Sequence, residues 1–188
     1  MQVPPFSLDK QLSDIGSELQ DAVLRALYSG KYIGGSEIKS FEDSFANEIG
    51  SENIVGCNSG TDALILALRA LEIGPGDEVI TTSFSFFATA EAISNVGAKP
   101  VFVDIEKNGY LIDLNAIETA ITSKTKAILP VHLFGCPVDM SRLMDLANHY
   151  GLKVIEDCAQ AAGAKWKNKH VGTWGHIGCF SFFPTKNL

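Results

Sequence analysis

No stretch of these 188 residues approaches the roughly 18 consecutive apolar residues that a membrane helix needs. The N-terminal MQVPPFSLDKQ has no basic segment followed by an apolar run, so a secretory leader is not expected. Basic charge is scarce: 15 Lys and Arg against 22 Asp and Glu leave a net charge of −7. Phosphate backbones want a basic face, so nucleic acid is disfavoured as a partner, although a local cationic pocket is compatible with that average. The four cysteines, Cys57, Cys136, Cys158 and Cys179, stand far apart with no CxxC pair. A zinc site or disulfide framework would need closer or paired spacing, so no metal is expected and the thiols are read as reduced and mostly buried. These absences leave a soluble, cytoplasmic protein that uses neither membrane nor nucleic acid.

What is present is ordinary globular composition, 46% hydrophobic and 20% charged, enough for one domain with a real core. Leu12, Ile15, Leu19, Val23 and Leu27 recur at helical spacing, and Gly30 closes that helix. Ile38, Phe41, Phe45 and Ile49 mark a second helix, with Ser36 as its expected N-cap. From NIVGCNSG onward, short apolar strands alternate with helices: strands at NIVGCNSG, DEVITTS, KPVFVDI, KAILPVHLFG, KVIEDCAQ and IGCFSFF, helices at TDALILALRAL, FFATAEAISNVG, LNAIETAI and SRLMDLANHYG, and a hairpin turn at KWKNKH. That alternation predicts an α/β fold, a mostly parallel sheet with helices on both faces. Ligands of such sheets gather beyond the carboxyl ends of the strands. The residues to watch are therefore 58–61, 83–86, Asp104, His132, 157–160 and 181–186.

Several nucleotide motifs fail. In GPGDEV the third glycine of a dinucleotide fingerprint would fall at Val79, and a strand follows rather than a helix. GCNSG carries its serine one position late for a nucleophile elbow, and no P-loop exists. NSGTDALILAL does better. It delivers Ser59, Gly60 and Thr61 to the first turn of a helix, where unpaired N–H groups and the helix dipole attract an anion. The same Ser-Gly-Thr-Asp run is also an ordinary helix cap. In VIEDCAQ two carboxylates end an apolar strand, and alternation forbids Glu156 and Asp157 from facing one ligand. Lys186 follows Phe180, Phe182, Phe183 and Pro184, a setting that predicts a desolvated amine fit for a Schiff base, the alternative being a surface charge. An anion-binding helix start, a buried acid and such a lysine are what pyridoxal 5'-phosphate requires. Phe86, at a strand-to-helix junction, offers a flat ring for the cofactor to lie against, unless it is only core packing.

The order NSGTDAL, GPGDEVI, FSFFATAEAI, GAKPVFVDI, VIEDCAQAAGA, GCFSFFPTKNL resembles the DegT/DnrJ/EryC1/StrS sugar aminotransferases, fold-type-I pyridoxal phosphate enzymes. The resemblance covers nearly the whole chain. It implies that Lys186 is the Schiff-base and proton-shuttling lysine, that Asp157 partners the pyridine nitrogen, and that Gln160 lies near the ring hydroxyl. It further implies that Phe86 stacks on the ring and that Gly60, Thr61 and Ser181, with Ser59 as a weaker candidate, cradle the phosphate. His132 fits the same pattern, first as a packed core residue and alternatively as a catalytic one. His176 departs from it, standing where an acidic residue is frequent. The resemblance implies glutamate as amino donor, a keto nucleotide sugar as acceptor and a homodimer. It also implies that residues 1–188 are the N-terminal part of a large domain, with a small C-terminal domain lying beyond. Alternatives on the same residues are another pyridoxal phosphate reaction or a non-catalytic, regulatory relative.

Overall fold

The structure is a computed structural model that describes residue 4 and residues 7–186. Two compact units divide the chain, Met1–Gly56 and Cys57–Leu188.

The first unit holds α1 (Asp9–Ser29) and α2 (Ser36–Ile49). Gly30 ends α1 at φ 66°, its N–H donating to the Leu27 carbonyl, as a left-handed C-cap should. The expected stripe lies along α1, yet no α1 residue is buried, and Leu12, Ile15, Leu19, Val23 and Leu27 are all exposed. On α2, Phe45 and Ile49 are buried, whereas Ile38 and Phe41 stay exposed, the Phe41 ring stacked on Phe45 at 5.8 Å. Ser36 is not the N-cap. The chain enters α2 through Gly34 and Gly35 in left-handed conformations, which places Gly35 at the cap and makes Ser36 the first helical residue.

The second unit is a five-stranded parallel sheet in the order β2-β1-β3-β4-β7. Its strands are β1 (Glu78–Thr82), β2 (Lys99–Val103), β3 (Thr125–Ile128), β4 (Lys153–Asp157) and β7 (Ile177–Cys179). Helices α3 (Gly60–Ala70) and α4 (Ala88–Asn95) cover one face, α5 (Leu114–Ala120) and α6 (Met140–Tyr150) the other. Alternation along the strands divides the core accordingly. Val79, Ala127 and Ile155 pack with Leu64, Leu68 and Ile93, while Ile80, Ile128 and Val154 pack with Ile117, Met140 and Leu143. This pleat fixes the faces of the next two residues of β4, Glu156 and Asp157.

The KWKNKH turn is the expected hairpin, β5 (Lys165–Trp166) against β6 (Lys169–His170). Lys167 and Asn168 at its tip both have positive φ, as a twist-matched two-residue turn demands. Three expected strands differ. Residues 53–57 pair with no strand among the described residues and Val55 is exposed; an extended segment without a hydrogen-bonded neighbour forms no ladder. β3 stops at Ile128, because Pro130 has no N–H to continue it. A single bridge, Val131 to Asp157, follows, and then a 3₁₀ turn at Leu133–Gly135. β7 is only three residues long, and the chain leaves the sheet after Cys179. No helix of the described residues is long and apolar enough to cross a membrane.

Candidate active site

The start of α3 settles what Ser59 does. Its Oγ accepts from the Asp62 N–H at 3.1 Å and donates to Asp62 Oδ2 at 3.0 Å, while Asn58 Nδ2 donates to the same oxygen at 2.8 Å. A hydroxyl has one proton, and this one is committed to the cap rather than offered to an anion. The capping alternative for the motif thus describes the Ser59 side chain. Gly60 is different. A Cβ placed there would sit 2.9 Å from Ser181 Cβ and 3.4 Å from Ser181 Oγ, so only glycine lets the chain leaving β7 pass against the helix start. Gly60, Thr61 and Ser181 are thereby brought together, with first-turn N–H groups and two hydroxyls beside them. A Cβ-free cradle of this kind fits a phosphate.

Asp157 ends β4 on the α3/α4 face and is 5% exposed. Thr89 Oγ1, on α4, donates to its Oδ2 at 2.9 Å, and the Ala159 N–H donates to Oδ1 at 3.1 Å. Behind it, Ser85 Oγ and Thr89 Oγ1 are 2.7 Å apart. Burial pushes the Asp157 carboxyl up from its ordinary value, opposed by the hydrogen bonds from Ala159 and Thr89 and by nearby positive charge, Lys186 included. Two donors and, among the described residues, no salt bridge make an acid that gains by meeting a cation. Thr89 escaped the sequence reading; the signal for it is a hydroxyl between Ala88 and Ala92 on the buried side of a helix, which needs a partner.

Lys186 is half-buried, its Nζ 6.0 Å from the centroid of the Phe86 ring. Phe86 is 69% exposed, which rules out core packing and leaves a free aromatic face beside the amine. The aromatic approach to Lys186 does not enclose it as expected. Beyond Cys179 the chain turns away from the sheet, closing on a Lys186 N–H to Phe183 carbonyl bond of 2.8 Å, and this leaves Phe182, Phe183 and Pro184 exposed. Gln160 Oε1 accepts from the Phe134 N–H at 2.9 Å, which orients the amide and leaves its NH₂ as the donor end, the one suited to a ring oxygen.

His132 is a packed core residue, 0% exposed. The Val138 N–H donates to its Nδ1 at 3.1 Å, so the ring proton lies on Nε2, 3.0 Å from Glu156 Oε2. Glu156 points to the face opposite Asp157, as alternation requires. Ligand atoms of His132, Glu156 and Cys158 lie within 4.8 Å of one another, a set that spacing along the chain could not reveal. Both Glu156 oxygens already accept two N–H donors each, and burial holds the Cys158 thiol well above its ordinary pKa, so a metal would have to displace satisfied bonds. Cys158 and Cys179 are buried as expected, but Cys57 and Cys136 are exposed. His176, the departure from the family pattern, is a strand-edge residue: its Nδ1 accepts from the Val154 N–H at 3.1 Å, and desolvation lowers its pKa.

A glycine cradle at the start of α3, a buried acid at the end of β4, an amine and an exposed aromatic ring therefore lie toward one end of the sheet. Relatives share the arrangement's frame. The chain is 51% identical over 186 residues to a UDP-N-acetyl-3-dehydro-alpha-D-glucosamine 3-aminotransferase of Acidithiobacillus ferrooxidans, covering 99% of this chain and 50% of that protein. Its structure resembles Streptomyces venezuelae DesV, solved with a ketimine intermediate, at a TM-score of 0.96 and 44% identity, covering 100% of this chain and 50% of that one. A sugar aminotransferase of Streptococcus pneumoniae in its PLP form matches at a TM-score of 0.83 and 34% identity, over 88% of this chain and 45% of that one. The chain thus spans about half the length of these relatives. Residues 13–188 match the family model itself, and the chain belongs to the DegT/DnrJ/EryC1/StrS aminotransferase family.

Proposed function

We propose that this chain is the N-terminal part of the cofactor-binding domain of a pyridoxal 5'-phosphate-dependent aminotransferase. It moves the amino group of glutamate to the keto carbon of a nucleotide-linked sugar, for amino-sugar and polysaccharide biosynthesis, in a cytoplasmic homodimer. The observation that carries the reading is the convergence of Gly60 and Ser181, Asp157, and Lys186 beside Phe86 at one end of one sheet. Sugar acceptors are supported by the names of the relatives. Glutamate and the homodimer follow from the resemblance to the family, and four free thiols suit a reducing compartment.

The cofactor, when bound, supplies an electron sink for the pair released as a substrate C–H bond breaks. The protein's own residues do the rest. The N-terminus of α3, with Thr61 and the Ser181 hydroxyl, holds the phosphate. Asp157, costly to keep ionised while buried, holds a proton on the ring nitrogen and is stabilised by that charge in return. The Gln160 NH₂ would be the donor available to a ring oxygen, and Phe86 would offer its exposed face to the ring. Lys186 Nζ would hold the cofactor covalently and, when free, would move the substrate proton as general base and then general acid.

Borohydride reduction followed by peptide mapping tests the attachment, with the label expected on Lys186. A label on another lysine with Lys186 free sinks the assignment. Labelling at Lys186 without amino transfer from glutamate would move the reading to another reaction on the same fold or to a regulatory role.

A further inference from the structure

The proposed chemistry has no task for Glu156, although it is the most fully satisfied carboxylate described. It is 0% exposed in the interior of the sheet, where a carboxylate is tolerated only if its lone pairs are met. Four N–H donors meet them. Gly172 N–H and His132 Nε2 approach Oε2 at 2.8 and 3.0 Å, and the Trp174 and Gly175 N–H groups approach Oε1 at 2.8 and 2.7 Å. Three of the four are backbone groups of a single loop between β6 and β7. Glu156 thus does for residues 172–175 what a bound anion does for a nest of backbone amides.

That loop supports the segment carrying Lys186. Gly172 has φ 83°, and a Cβ there would lie 2.5 Å from Phe180 Cζ and 3.2 Å from Cys158 Sγ. A Cβ on Gly178 would collide with the Gly172 backbone, and one on Gly175 would come within 2.8 Å of the Val154 carbonyl. The loop is therefore wedged without side-chain thickness between β4 and the exit of β7, and Phe180 packs on Cys158, Ala161 and Val171. One residue further, Ser181 rests on Gly60, and after a short turn comes Lys186. His132 joins this chain of contacts to the acid on the opposite face. Its side chain meets Glu156, and its backbone N–H donates to the Asp157 carbonyl at 3.0 Å.

We propose that Glu156, assisted by His132, is a positioning residue that sets where Ser181 and Lys186 stand relative to Gly60 and Asp157. The proposal rests on the reading of Lys186 as the attachment lysine. Charge-assisted bonds from three amides of one loop hold geometry better than neutral ones, and displacements of the order of 1 Å at a reacting centre cost orders of magnitude in rate.

The test uses the pyridoxal phosphate-loaded protein and E156Q, in which an NH₂ replaces one acceptor and faces two N–H donors. Well below the unfolding midpoint of each variant, E156Q should show faster amide exchange in residues 171–175 and 179–181. It should also show at least about tenfold slower borohydride-trappable attachment to Lys186 at saturating cofactor, a quantity that lowered stability alone would not move. H132N and H132Q add a rescue. A glutamine amide nitrogen can stand where Nε2 does and keep the bond to Glu156, whereas asparagine cannot reach. H132Q should therefore attach the cofactor nearly as wild type does, and H132N more slowly. Wild-type attachment in E156Q despite an opened 171–175 loop would overturn the proposal. Should E156Q not fold, equal attachment in H132N and H132Q would overturn it. Wild-type protein unlabelled at Lys186 would instead overturn the underlying reading, and the positioning role with it.

Discussion

Replacing Asp157 with asparagine should make the cofactor-free protein more stable while disabling it. The carboxylate is 5% exposed and has two hydrogen-bond donors but, among the described residues, no salt bridge. In the wild type Thr89 Oγ1 gives its one proton to Asp157, so the proton between Thr89 and Ser85 comes from Ser85. With asparagine the network reverses: Nδ2 donates to Thr89, whose proton turns to Ser85, and Oδ1 still accepts from Ala159. No hydrogen bond is lost; two lose their charge assistance, about 1 kcal/mol each. Against this stands the desolvation of a poorly compensated ion, about 3 kcal/mol. The net gain is about 1 kcal/mol, or a rise of about 3 °C in Tm for a chain of this length. The gain should depend on pH. The carboxyl has an ordinary value of 3.8 when unfolded and a raised one when buried. Between the two the folded wild type holds the extra proton, so its stability falls as pH rises through that window and then levels off. Asparagine does not titrate, so its advantage should be full above the raised value and shrink as pH falls through it toward the ordinary 3.8. Thermal melts of both apo proteins across that range measure it. A folded D157N less stable than wild type at neutral pH, or an advantage independent of pH, refutes the reasoning. Saturating pyridoxal phosphate should reverse the order, because only the carboxylate gains from a ring cation.

Two further substitutions separate the cradle from the cap. Gly60→Ala should push Ser181 off the helix start, its Cβ arriving 2.9 Å from that of Ser181, and weaken pyridoxal phosphate and free phosphate alike in absorbance and calorimetric titrations; unchanged affinity for both would remove Gly60 from the cradle. Ser59→Ala should cost about 1 kcal/mol through the lost cap, lowering Tm by about 3 °C, with cofactor affinity little changed once the protein is folded; a large loss of affinity at constant Tm would return Ser59 to the phosphate site.

The sheet was legible because its strands are short apolar runs bounded by glycine, proline and caps such as Asp113, which stands directly before LNAIETAI and caps α5. The strand ends at Pro130 and Cys179 were less so. A strand's length is set by what its neighbour offers: β3 gives way where Pro130 supplies only a carbonyl, taken by the Asp157 N–H. Motif residues were recognisable one at a time, but their division of labour was not. Ser59 is spent on a cap with Asp62 three residues on, whereas Gly60 is a point of close approach only because of Ser181, more than a hundred residues away in sequence. Thr89 could be marked in sequence only as a hydroxyl in need of a partner, and the 172–175 amides not at all, since three backbone N–H groups acquire meaning only from the carboxylate they face.

Glu156 and Asp157 show why composition at a strand end underdetermines its chemistry. They are adjacent, of one chemical type and both buried, so burial alone would treat them alike. The pleat sends one toward α5 and α6, where a loop supplies three donors and His132 a fourth, and the other toward α4, where it finds a threonine and a single amide. A carboxylate with every lone pair met has nothing left to offer a ligand, and its energy is spent on holding the loop in one place. A carboxylate left short of donors has unspent affinity for a cation, and that shortfall is what a protonated ring can satisfy. Interchanging the two environments would therefore cost more than either side chain. The loop under β7 would lose its anchor, and the acid at the site would lose its reason to bind.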